Sequence, residues 1–348
     1  MKITKTEQSK LNTTDFDQLS FGKTFSDHMF SAIYNDGQWK NEEIIPYGPL
    51  ELDPSTHVFH YGQAVFEGMK AYKKEDGTIL LFRPLDNVSR LNSSALRLCM
   101  PAIDKDMFMT GLKELLKIDR AWVPQSETKS LYIRPFMIAD SNYIRATPSQ
   151  SFRFLIITSP TASYYNGKTS LKIEESYVRS VEGGTGFAKA AGNYAASFAP
   201  TKEAQNDGFT QVIWTDAISH QYIEESGTMN IIFRINDTIV TPALSDSILG
   251  GITRDSILTM AKHLGIQVEE RKVSVQEVLD AHDNGILREA FGVGTAVTVN
   301  PIHSITYRDK CMNFESYNDD SFALTLKNKL LDIQYGKSED VFNWTVEV

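Results

Sequence analysis

Short apolar runs alternate with amphipathic stretches along the chain, and this alternation predicts strands interleaved with helices. Residues 151–158, 211–214 and 229–235 are rich in aromatic and branched side chains, which is typical of buried strands. Between and around them, apolar residues recur with the three- and four-residue spacing of a helix face. The pattern therefore predicts an α/β protein.

Three stretches have this helical spacing. The first is predicted to begin with Asp86 as its cap, and its apolar face consists of Val88, Leu91, Ala95, Leu98 and Cys99. The second has an apolar face of Phe108, Leu112, Leu115 and Leu116 and ends near Asp119. The third begins at the Gly-Gly-Ile-Thr of residues 250–253 and ends at Gly265, because glycine readily terminates a helix.

The chain has 348 residues, which favours two domains of ordinary size. Residues 159–167 combine Pro, Ser, Asn and Gly directly after a predicted strand, and this composition is typical of the start of a linker. We therefore expect a small N-terminal α/β domain at residues 1–160, an interdomain linker at 161–177 and a large C-terminal domain at 178–348.

Composition narrows the functional classes. A net charge of −9 argues against a nucleic-acid partner or an anionic membrane surface, because both require a basic face. Two cysteines and seven scattered histidines favour neither a disulfide framework nor a metal site. The polar start of the chain lacks the apolar region of a signal peptide, so we expect a cytoplasmic enzyme.

A glycine-rich segment at residues 183–194 surrounds Lys189. Glycines let the backbone pass close to a ligand, and a lysine confined there can be desolvated and act as a Schiff-base amine. The alternative is an ordinary surface lysine beside a flexible turn, and the spacing of the glycines alone favours that alternative, since it matches no established phosphate-binding pattern.

Four further segments contain candidate binding groups. Glu224 and Glu225 precede a Gly turn, so that one of them could pair with a cationic ring nitrogen, although this segment alone favours two solvated carboxylates at a strand start. Residues 250–253 begin a helix, whose N-terminal amides can bind an anion or simply be capped. The turn at residues 292–296 is a weaker candidate of the same kind.

The fourth segment places Tyr132 and Arg134 on the same side of a strand, because side chains alternate with a period of two. An inward arginine would require a carboxylate partner. The alternative is an arginine that lies on an edge strand in water.

Several of these segments together resemble the branched-chain amino-acid aminotransferase family. Their order and spacing fit that family from about Phe21 to Ile305. The matching segments are Phe-Glu-Gly-Met-Lys-Ala-Tyr at 66–72, Leu-Phe-Arg-Pro at 81–84, Arg-Leu-Cys-Met-Pro at 97–101, Tyr-Ile-Arg-Pro at 132–135, Lys189 with Gly-Asn-Tyr at 192–194, and Glu-Ser-Gly-Thr-Met-Asn at 225–230.

This resemblance implies a fold-type IV enzyme, with two α/β domains, pyridoxal 5'-phosphate (PLP) between them and a homodimer. It implies reversible, ping-pong transfer of the amino group of L-leucine, L-isoleucine or L-valine to 2-oxoglutarate, giving branched 2-oxo acids and L-glutamate. The residues implied as catalytic or cofactor-binding are Lys189, Arg90, Tyr194, Glu225, Ile252, Thr253 and Thr295. Those implied for the substrate are Phe21, Tyr61, Phe66, Tyr132, Arg134, Ile144, Thr228 and Ala296.

The resemblance also assigns roles. It implies that Lys189 forms the Schiff base and moves the substrate proton, that Glu225 faces the pyridine nitrogen and that Tyr194 binds the ring 3'-oxygen. Arg90, Ile252, Thr253 and Thr295 would bind the phosphate. Tyr61 and Ile144 resemble residues that the dimer partner contributes, and Arg134 with Tyr132 resembles the pair that binds the glutamate γ-carboxylate.

Two departures and two related activities qualify the resemblance. Arg145 places a cation after Ile144, near the predicted lid of the pocket, and Val297 and Asn300 stand where mammalian relatives have a Cys-x-x-Cys. Aminodeoxychorismate lyase and D-amino-acid aminotransferase share the lysine and the glutamate. The segments at 66–70, 132–134 and 225–230 favour the branched-chain enzyme over both, and retention of Lys189 and Glu225 argues against a non-catalytic scaffold.

Overall fold

A computed structural model describes residues 1–162, 167–314, 317–318 and 320–348. Residues 163–166, which belong to the segment predicted to begin a linker, lie outside the described residues. The chain divides into two compact units. Unit one comprises residues 1–164, 188–192 and 332–348, and unit two comprises residues 165–187 and 193–331. The units are therefore discontinuous in sequence, whereas the predicted domains were continuous ranges.

Unit one is built on a largely antiparallel sheet. Within the described residues its nine strands are β1 (Lys2–Ile3), β2 (His28–Asn35), β3 (Gln38–Pro46), β4 (Ala64–Phe66), β5 (Met69–Lys73), β6 (Ile79–Phe82), β7 (Ser130–Ala139), β8 (Phe152–Thr161) and β19 (Thr345–Glu347). They have the order β1-β3-β2-β8-β7-β5-β6-β19, with β4 paired to β7. The longest pairing joins β7 to β8 along their full length, so β7 is an internal strand.

Helices α1 (His57–Tyr61), α2 (Pro84–Arg97) and α3 (Lys105–Ile118) also belong to unit one. Asp104 caps α3, because its side chain accepts from the amides of Asp106 and Met107. Gly111 allows α3 to pack closely on β2, since a Cβ there would lie 2.6 Å from the Phe30 ring. The apolar sides of α2, α3 and the sheet form one buried core.

Unit two has a mixed sheet. In the part of the chain that is described, its ten strands are β9 (Thr169–Ile173), β10 (Gln211–Thr215), β11 (Tyr222–Ser226), β12 (Met229–Ile235), β13 (Thr238–Pro242), β14 (Gln267–Arg271), β15 (Val273–Ser274), β16 (Leu287–Gly294), β17 (Thr298–Tyr307) and β18 (Lys310–Asn313). They have the order β14-β13-β12-β16-β17-β9-β10-β11-β15, with β18 paired to β17.

The remaining helices are α4 (Ala191–Ala196), α5 (Phe198–Asn206), α6 (Ile252–His263), α7 (Val275–Asp283) and α8 (Phe322–Gln334). Along α4 and α8 the chain passes from one unit into the other. Short 3-10 turns at Leu11–Thr13 and Arg120–Trp122 complete the regular structure that is described. Among the residues that the structure describes, no helix combines the length and the low polarity that a bilayer crossing requires.

The three predicted strands are confirmed as β8, β10 and β12, and the three predicted helices as α2, α3 and α6. Two details of α2 were wrong. Asp86 lies inside the first turn, and the capping position belongs to Arg83, whose backbone is left-handed with a φ of 49°. The helix ends at Arg97, and Cys99 takes a φ of 55°, which turns it off the apolar face and leaves it exposed.

The predicted start of the linker at Ser159 was also wrong, because β8 continues to Thr161. Ser159 pairs with Tyr132 in the ladder between β7 and β8, and the residues on both sides of Ser159 are paired in the same ladder. A proline in a strand commonly signals its end, but Pro160 lies opposite Leu131 and the pairing continues beyond it. Local composition therefore could not locate the end of this strand.

Candidate active site

Lys189 lies in a short segment of unit one whose backbone is fixed on both sides. The Phe66 amide donates to the Lys189 carbonyl at 3.1 Å, and the Lys189 amide donates to Ser94 Oγ at 2.8 Å. The next residue, Ala190, forms an antiparallel bridge with Val65 of β4. Lys189 Nζ lies 5.0 Å from the centroid of the Phe66 ring. The lysine is therefore half-buried on an ordered backbone, and the alternative of a surface lysine on a flexible turn was wrong.

Aromatic side chains of unit one surround Arg134. Arg134 Nη2 donates to the Tyr132 hydroxyl at 3.0 Å, and its guanidinium lies 4.6 Å from the Phe66 ring centroid. The Phe21 and Tyr132 rings meet edge-on at 4.8 Å. The prediction that Tyr132 and Arg134 share a strand face is confirmed. The edge-strand alternative was wrong, because β7 is internal and Arg134 is half-buried.

The glycine after Glu67 is required by this aromatic cluster. A Cβ on Gly68 would lie 2.3 Å from the Tyr132 hydroxyl oxygen, which is closer than two atoms can approach without a bond. The segment Phe-Glu-Gly at residues 66–68 therefore tolerates only glycine at its third position unless the tyrosine moves.

Arg90 of α2 forms an ion pair with Glu67, a partner that sequence analysis did not predict. Its Nε donates to Glu67 Oε1 at 2.7 Å and its Nη2 donates to Oε2 at 2.8 Å. The Glu67 side chain is fully buried, while 14% of the Arg90 side chain is exposed. Such two-point pairing fixes the plane of the guanidinium as well as its position.

Two residues expected to act at the site of a partner subunit lie at the surface of unit one. Tyr61 ends α1 and is 40% exposed, and Ile144 is 68% exposed in the loop after β7. His57 links the two, because its ring centroid lies 4.6 Å from that of Tyr61 and its Nε2 donates to the Arg145 carbonyl at 3.2 Å. The chain thus presents apolar side chains outward at this surface.

In unit two, Glu225 of β11 is a buried carboxylate with a cationic partner. It is 3% exposed, and its Oε2 lies 2.9 Å from Nε of Arg179. Its Oε1 accepts from the Leu249 amide at 2.7 Å and from Nδ2 of Asn230 at 3.3 Å. The alternative of two solvated carboxylates was wrong for Glu225, because its ion pair and hydrogen bonds come from within the protein.

Glu224 differs from its neighbour in its partners. Ser247 Oγ donates to Glu224 Oε1 at 2.5 Å, whereas Oε2 is buried and has no hydrogen-bond partner. Burial raises the pKa of Glu224, and the adjacent charge of Glu225 raises it further. The two neighbouring carboxyls therefore differ in their partners: Glu225 pairs with a cation, whereas Glu224 accepts from a hydroxyl.

One pocket of unit two brings together three residues of the predicted site, Tyr194, Glu225 and Thr228. It is lined by Arg179, Asn193, Tyr194, Ser197, Glu225, Gly227, Thr228 and Leu249. Gly227 forms the turn between β11 and β12 with a φ of 55°, and a Cβ there would lie 2.9 Å from the side chain of Gln211. The Ser-Gly-Thr segment therefore needs its glycine for both conformation and space.

The predicted phosphate-binding segments of unit two are a helix start and a hairpin turn. Ile252 and Thr253 open α6, with Gly251 at the capping position. A Cβ on Gly251 would lie 2.0 Å from Asn230 Oδ1, so this close approach requires glycine. Thr295 and Ala296 lie in the turn that joins β16 to β17 and are half-buried.

The sequence matches the family model described as "Amino-transferase class IV" over residues 64–305. Branched-chain-amino-acid aminotransferase 2 of Bacillus subtilis (strain 168) is 47% identical to it, over 100% of this chain and 96% of that protein. The branched-chain-amino-acid aminotransferase of Mycolicibacterium smegmatis is 42% identical over 93% of this chain and 90% of the relative.

The chain belongs to the branched-chain aminotransferases of class IV.

Solved structures agree on the fold. The branched-chain aminotransferase of Thermobaculum terrenum in its PLP form has a TM-score of 0.76 at 22% identity, covering 92% of this chain and 98% of that one. The Escherichia coli branched-chain aminotransferase has a TM-score of 0.74 at 24% identity, covering 92% and 98%. This branched-chain aminotransferase therefore has the α/β architecture of fold type IV, as the resemblance implied.

Two charged partners of predicted site residues, Glu67 and Arg179, were not predicted from the sequence. Glu67 lies inside the Phe-Glu-Gly segment, which resembles the family motif but implies no role for this residue. Arg179 lies in no segment that was singled out. A buried glutamate requires a cation or several donors, and that rule could have prompted a search for both partners.

Proposed function

We propose that this protein catalyses reversible amino transfer between L-leucine, L-isoleucine or L-valine and 2-oxoglutarate, with PLP bound to Lys189. The similarity along the full chain to enzymes named as branched-chain aminotransferases supports the substrate class. The observation that carries the cofactor assignment is the ion-paired Glu225 in one pocket with Tyr194, because a carboxylate beside an arginine stays charged and can accept from a protonated ring nitrogen.

The residues present have the chemistry that the ring of PLP requires. Lys189 supplies a primary amine that can bind the aldehyde, and its segment has an ordered backbone. Glu225 supplies a carboxylate for the protonated ring nitrogen, and Tyr194 supplies a hydroxyl for the 3'-oxygen. Glu225 and Tyr194 line one pocket of unit two.

The phosphate would be bound by a cation, by amides and by a hydroxyl. Arg90 supplies the cation, oriented by Glu67. Ile252 and Thr253 supply amides at the start of α6, where the helix dipole favours an anion. Thr295 adds a hydroxyl from the hairpin turn. This donor set is anion-binding throughout and contains no carboxylate other than the one that already pairs with Arg90.

When bound, PLP supplies an electron sink that acidifies the Cα–H bond of the amino acid. The protein's part is to move that proton and to hold the ring charge. Lys189 Nζ accepts the Cα proton and later donates it, so one amine acts as base and acid in turn. Glu225 keeps the ring nitrogen protonated, because opposite charges held close favour the charged forms.

Substrate choice would be set by an apolar wall beside one cation. Phe21, Phe66 and Tyr132 offer aromatic surface for branched side chains, and Arg134 can bind the γ-carboxylate of glutamate. Thr228 and Ala296 are proposed to complete the pocket. We further propose a homodimer in which Tyr61 and Ile144 act at the partner's site, which their exposure permits.

The test is a matrix of donors and acceptors with purified, PLP-loaded protein. L-leucine, L-isoleucine, L-valine, D-alanine and aminodeoxychorismate are supplied in turn, with 2-oxoglutarate as the acceptor for the amino acids. We expect turnover with the three branched donors and parallel double-reciprocal plots, the kinetic sign of a ping-pong reaction. Preference for D-alanine, or pyruvate release from aminodeoxychorismate, would replace the proposal with one of the two related activities.

The cofactor-binding residue is tested separately by borohydride reduction. Reduction should fix the cofactor permanently on the peptide that contains Lys189, as located by mass spectrometry. Lys168 and Lys172 are the nearest earlier lysines in the chain and serve as internal controls. Label on either of them would overturn the assignment of Lys189 without touching the substrate proposal.

A further inference from the structure

We propose that Arg179 is a positioning residue, which keeps the Glu225 carboxylate ionised and directs it toward the ring nitrogen of the cofactor. We call this arrangement an arginine–glutamate relay, because Arg179 acts on the charge of the ring through Glu225. This inference rests on the proposed function, because it assigns Glu225 to the ring nitrogen. Arg179 belongs to no recognised segment of the sequence, and its role follows from its contacts.

Every nitrogen of the Arg179 guanidinium has an acceptor within unit two. Nε lies 2.9 Å from Glu225 Oε2, Nη1 donates to the Ser247 carbonyl at 2.7 Å, and Nη2 donates to the Gly186 carbonyl at 3.1 Å. Only 7% of the side chain is exposed. The two carbonyls hold the fork in one plane, so the Nε–H has a fixed direction toward the carboxylate.

The two backbone segments whose carbonyls accept from Arg179 approach each other closely. A Cβ on Gly186 would lie 2.5 Å from both Cα and the carbonyl oxygen of Ser247, which brings the two carbonyl-bearing segments into close contact. Gly186 is thus a glycine of the lysine-bearing region whose role is to let Arg179 bridge two backbones.

The charges around Glu225 show why a fixed cation is needed. Two other groups that donate to it, the Leu249 amide and the Asn230 side chain, are neutral. Glu224 is next to it, and burial raises the pKa of that neighbour most, with a further increase from the charge of Glu225. A buried carboxyl with neutral donors and an acidic neighbour favours its protonated form unless a cation pairs with it.

Arg179 has two opposite effects on a ring nitrogen bound by Glu225. Its charge draws electron density from the carboxylate and weakens the bond to the nitrogen, but it also keeps the carboxylate ionised. The second effect dominates, since a neutral acid would lose its whole charge, whereas pairing only shares it. Removing Arg179 should therefore weaken the contact with the nitrogen and leave the rest of the cofactor site in place.

The test compares the affinity of the apoenzyme for PLP with its affinity for an analogue in which CH replaces the ring nitrogen. In Arg179→Met, PLP affinity should fall about tenfold, the scale of a lost charged hydrogen bond, while affinity for the analogue stays within about twofold. Arg179→Lys retains the charge and should recover part of the preference for PLP. If Arg179→Met is insoluble, Arg179→Gln replaces it.

The matched control is Arg234→Met. Arg234 also pairs with a buried glutamate of unit two, Glu289, at 2.9 Å and also donates to backbone carbonyls, but it belongs to no proposed binding group. It should lose stability without changing the ratio of the two affinities. Equal losses for PLP and the analogue in Arg179→Met, or no loss for either, would overturn the relay.

The outcomes separate this inference from the function on which it rests. Wild-type protein that neither binds PLP nor transfers amino groups would remove the proposed function. Active wild-type protein with an unchanged affinity ratio in Arg179→Met would leave that function intact and remove only the role of Arg179.

Discussion

The two units each contain a buried arginine–glutamate pair, and the two pairs have opposite polarity with respect to the proposed cofactor. In unit one, Glu67 is fully buried and holds Arg90, the cation proposed to meet the phosphate. In unit two, Arg179 is 7% exposed and holds Glu225, the anion proposed to meet the ring nitrogen. Under the proposed function, the pair in unit one supplies a cation and the pair in unit two supplies an anion.

The difference lies in how each pair is braced. Glu67 grips Arg90 with both oxygens, so the pair is fixed by a two-point contact between the side chains themselves. Arg179 Nε lies 2.9 Å from Glu225, and backbone carbonyls accept from the other two nitrogens of the guanidinium. In unit one, Glu67 orients Arg90 through a bidentate contact. In unit two, two backbone carbonyls orient Arg179, which in turn orients Glu225.

The largest expected effect comes from removing the negative charge of Glu225, the anion of the pair in unit two. Glu225→Gln keeps the shape of the side chain but loses the charge that holds the ring proton. We expect turnover to fall about a hundredfold or more, the scale of a lost electrostatic stabiliser, with PLP still bound. Turnover and cofactor absorbance are measured on the same preparation.

Glu224→Gln is the matched control for that substitution. Glu224 is the adjacent residue and pairs with Ser247, so it should change turnover by less than about threefold, the scale of an ordinary hydrogen bond. Impaired Glu224→Gln beside near-normal Glu225→Gln would show that the ligand-facing carboxylate had been misassigned and would end the comparison of the two pairs.

A third arginine sharpens the contrast, because it lacks the brace of the other two. Arg134 Nε is buried without a hydrogen-bond partner, and Nη2 donates to a neutral hydroxyl. If a substrate carboxylate completes its pairing, Arg134→Ala should slow the glutamate half-reaction about ten- to a hundredfold more than the leucine half-reaction. Single-turnover rates with each donor measure this, and equal losses would mean that the arginine is structural.

A smaller effect is expected from Glu67→Gln, which weakens the two-point contact that orients Arg90. The amide offers Arg90 one acceptor instead of two, so the guanidinium loses its fixed plane. Affinity of the apoenzyme for PLP should fall about tenfold, while affinity for pyridoxal, which has no phosphate, stays unchanged. Tighter PLP binding would instead show that Glu67 acts mainly by withdrawing charge from Arg90.

The smallest effect concerns pH and stability. Burial raises the pKa of Glu224 in the folded protein above its ordinary value of 4.5. The folded state then binds this proton more tightly than the unfolded state, so the stability it contributes is present at low pH and is lost as pH rises through the raised pKa. A tenfold difference in proton affinity between the two states corresponds to about 1.4 kcal/mol.

Chemical denaturation of wild type and Glu224→Gln at several pH values measures this contribution. The free energy of unfolding of the wild type, relative to the variant, should decrease as pH rises from about 4.5. A difference that does not vary with pH would mean that folding does not raise the pKa of Glu224.

The sequence predicted what depends on local pattern. The strands β8, β10 and β12 and the spacing of Tyr132 and Arg134 follow from periodicity, which neighbouring residues determine. Cys99 was misplaced because one residue with positive φ ended the helix face, and periodicity contains no sign of that turn. Resemblance rather than periodicity identified Lys189 and Glu225 as a pair.

The braces could not be predicted, because they join distant parts of the chain. Arg90 and Glu67 are 23 residues apart, and no local rule selects one buried glutamate among many acids as the partner of a given arginine. Arg179 depends in addition on two backbone carbonyls whose positions exist only in the folded protein. Such contacts are decided by tertiary structure, so the sequence indicates the need for a partner without naming it.

The discontinuity of unit one has a consequence for the order in which a ribosome makes the protein. The segment with Lys189 and the strand β19, which pairs with β6, are both translated after the N-terminal part of unit one, and β19 also follows all of unit two. The first 162 residues therefore leave the ribosome with β6 lacking a neighbour along one edge. Exposed strand edges favour association between nascent chains. Fusion partners that shield this edge during translation should raise the soluble yield.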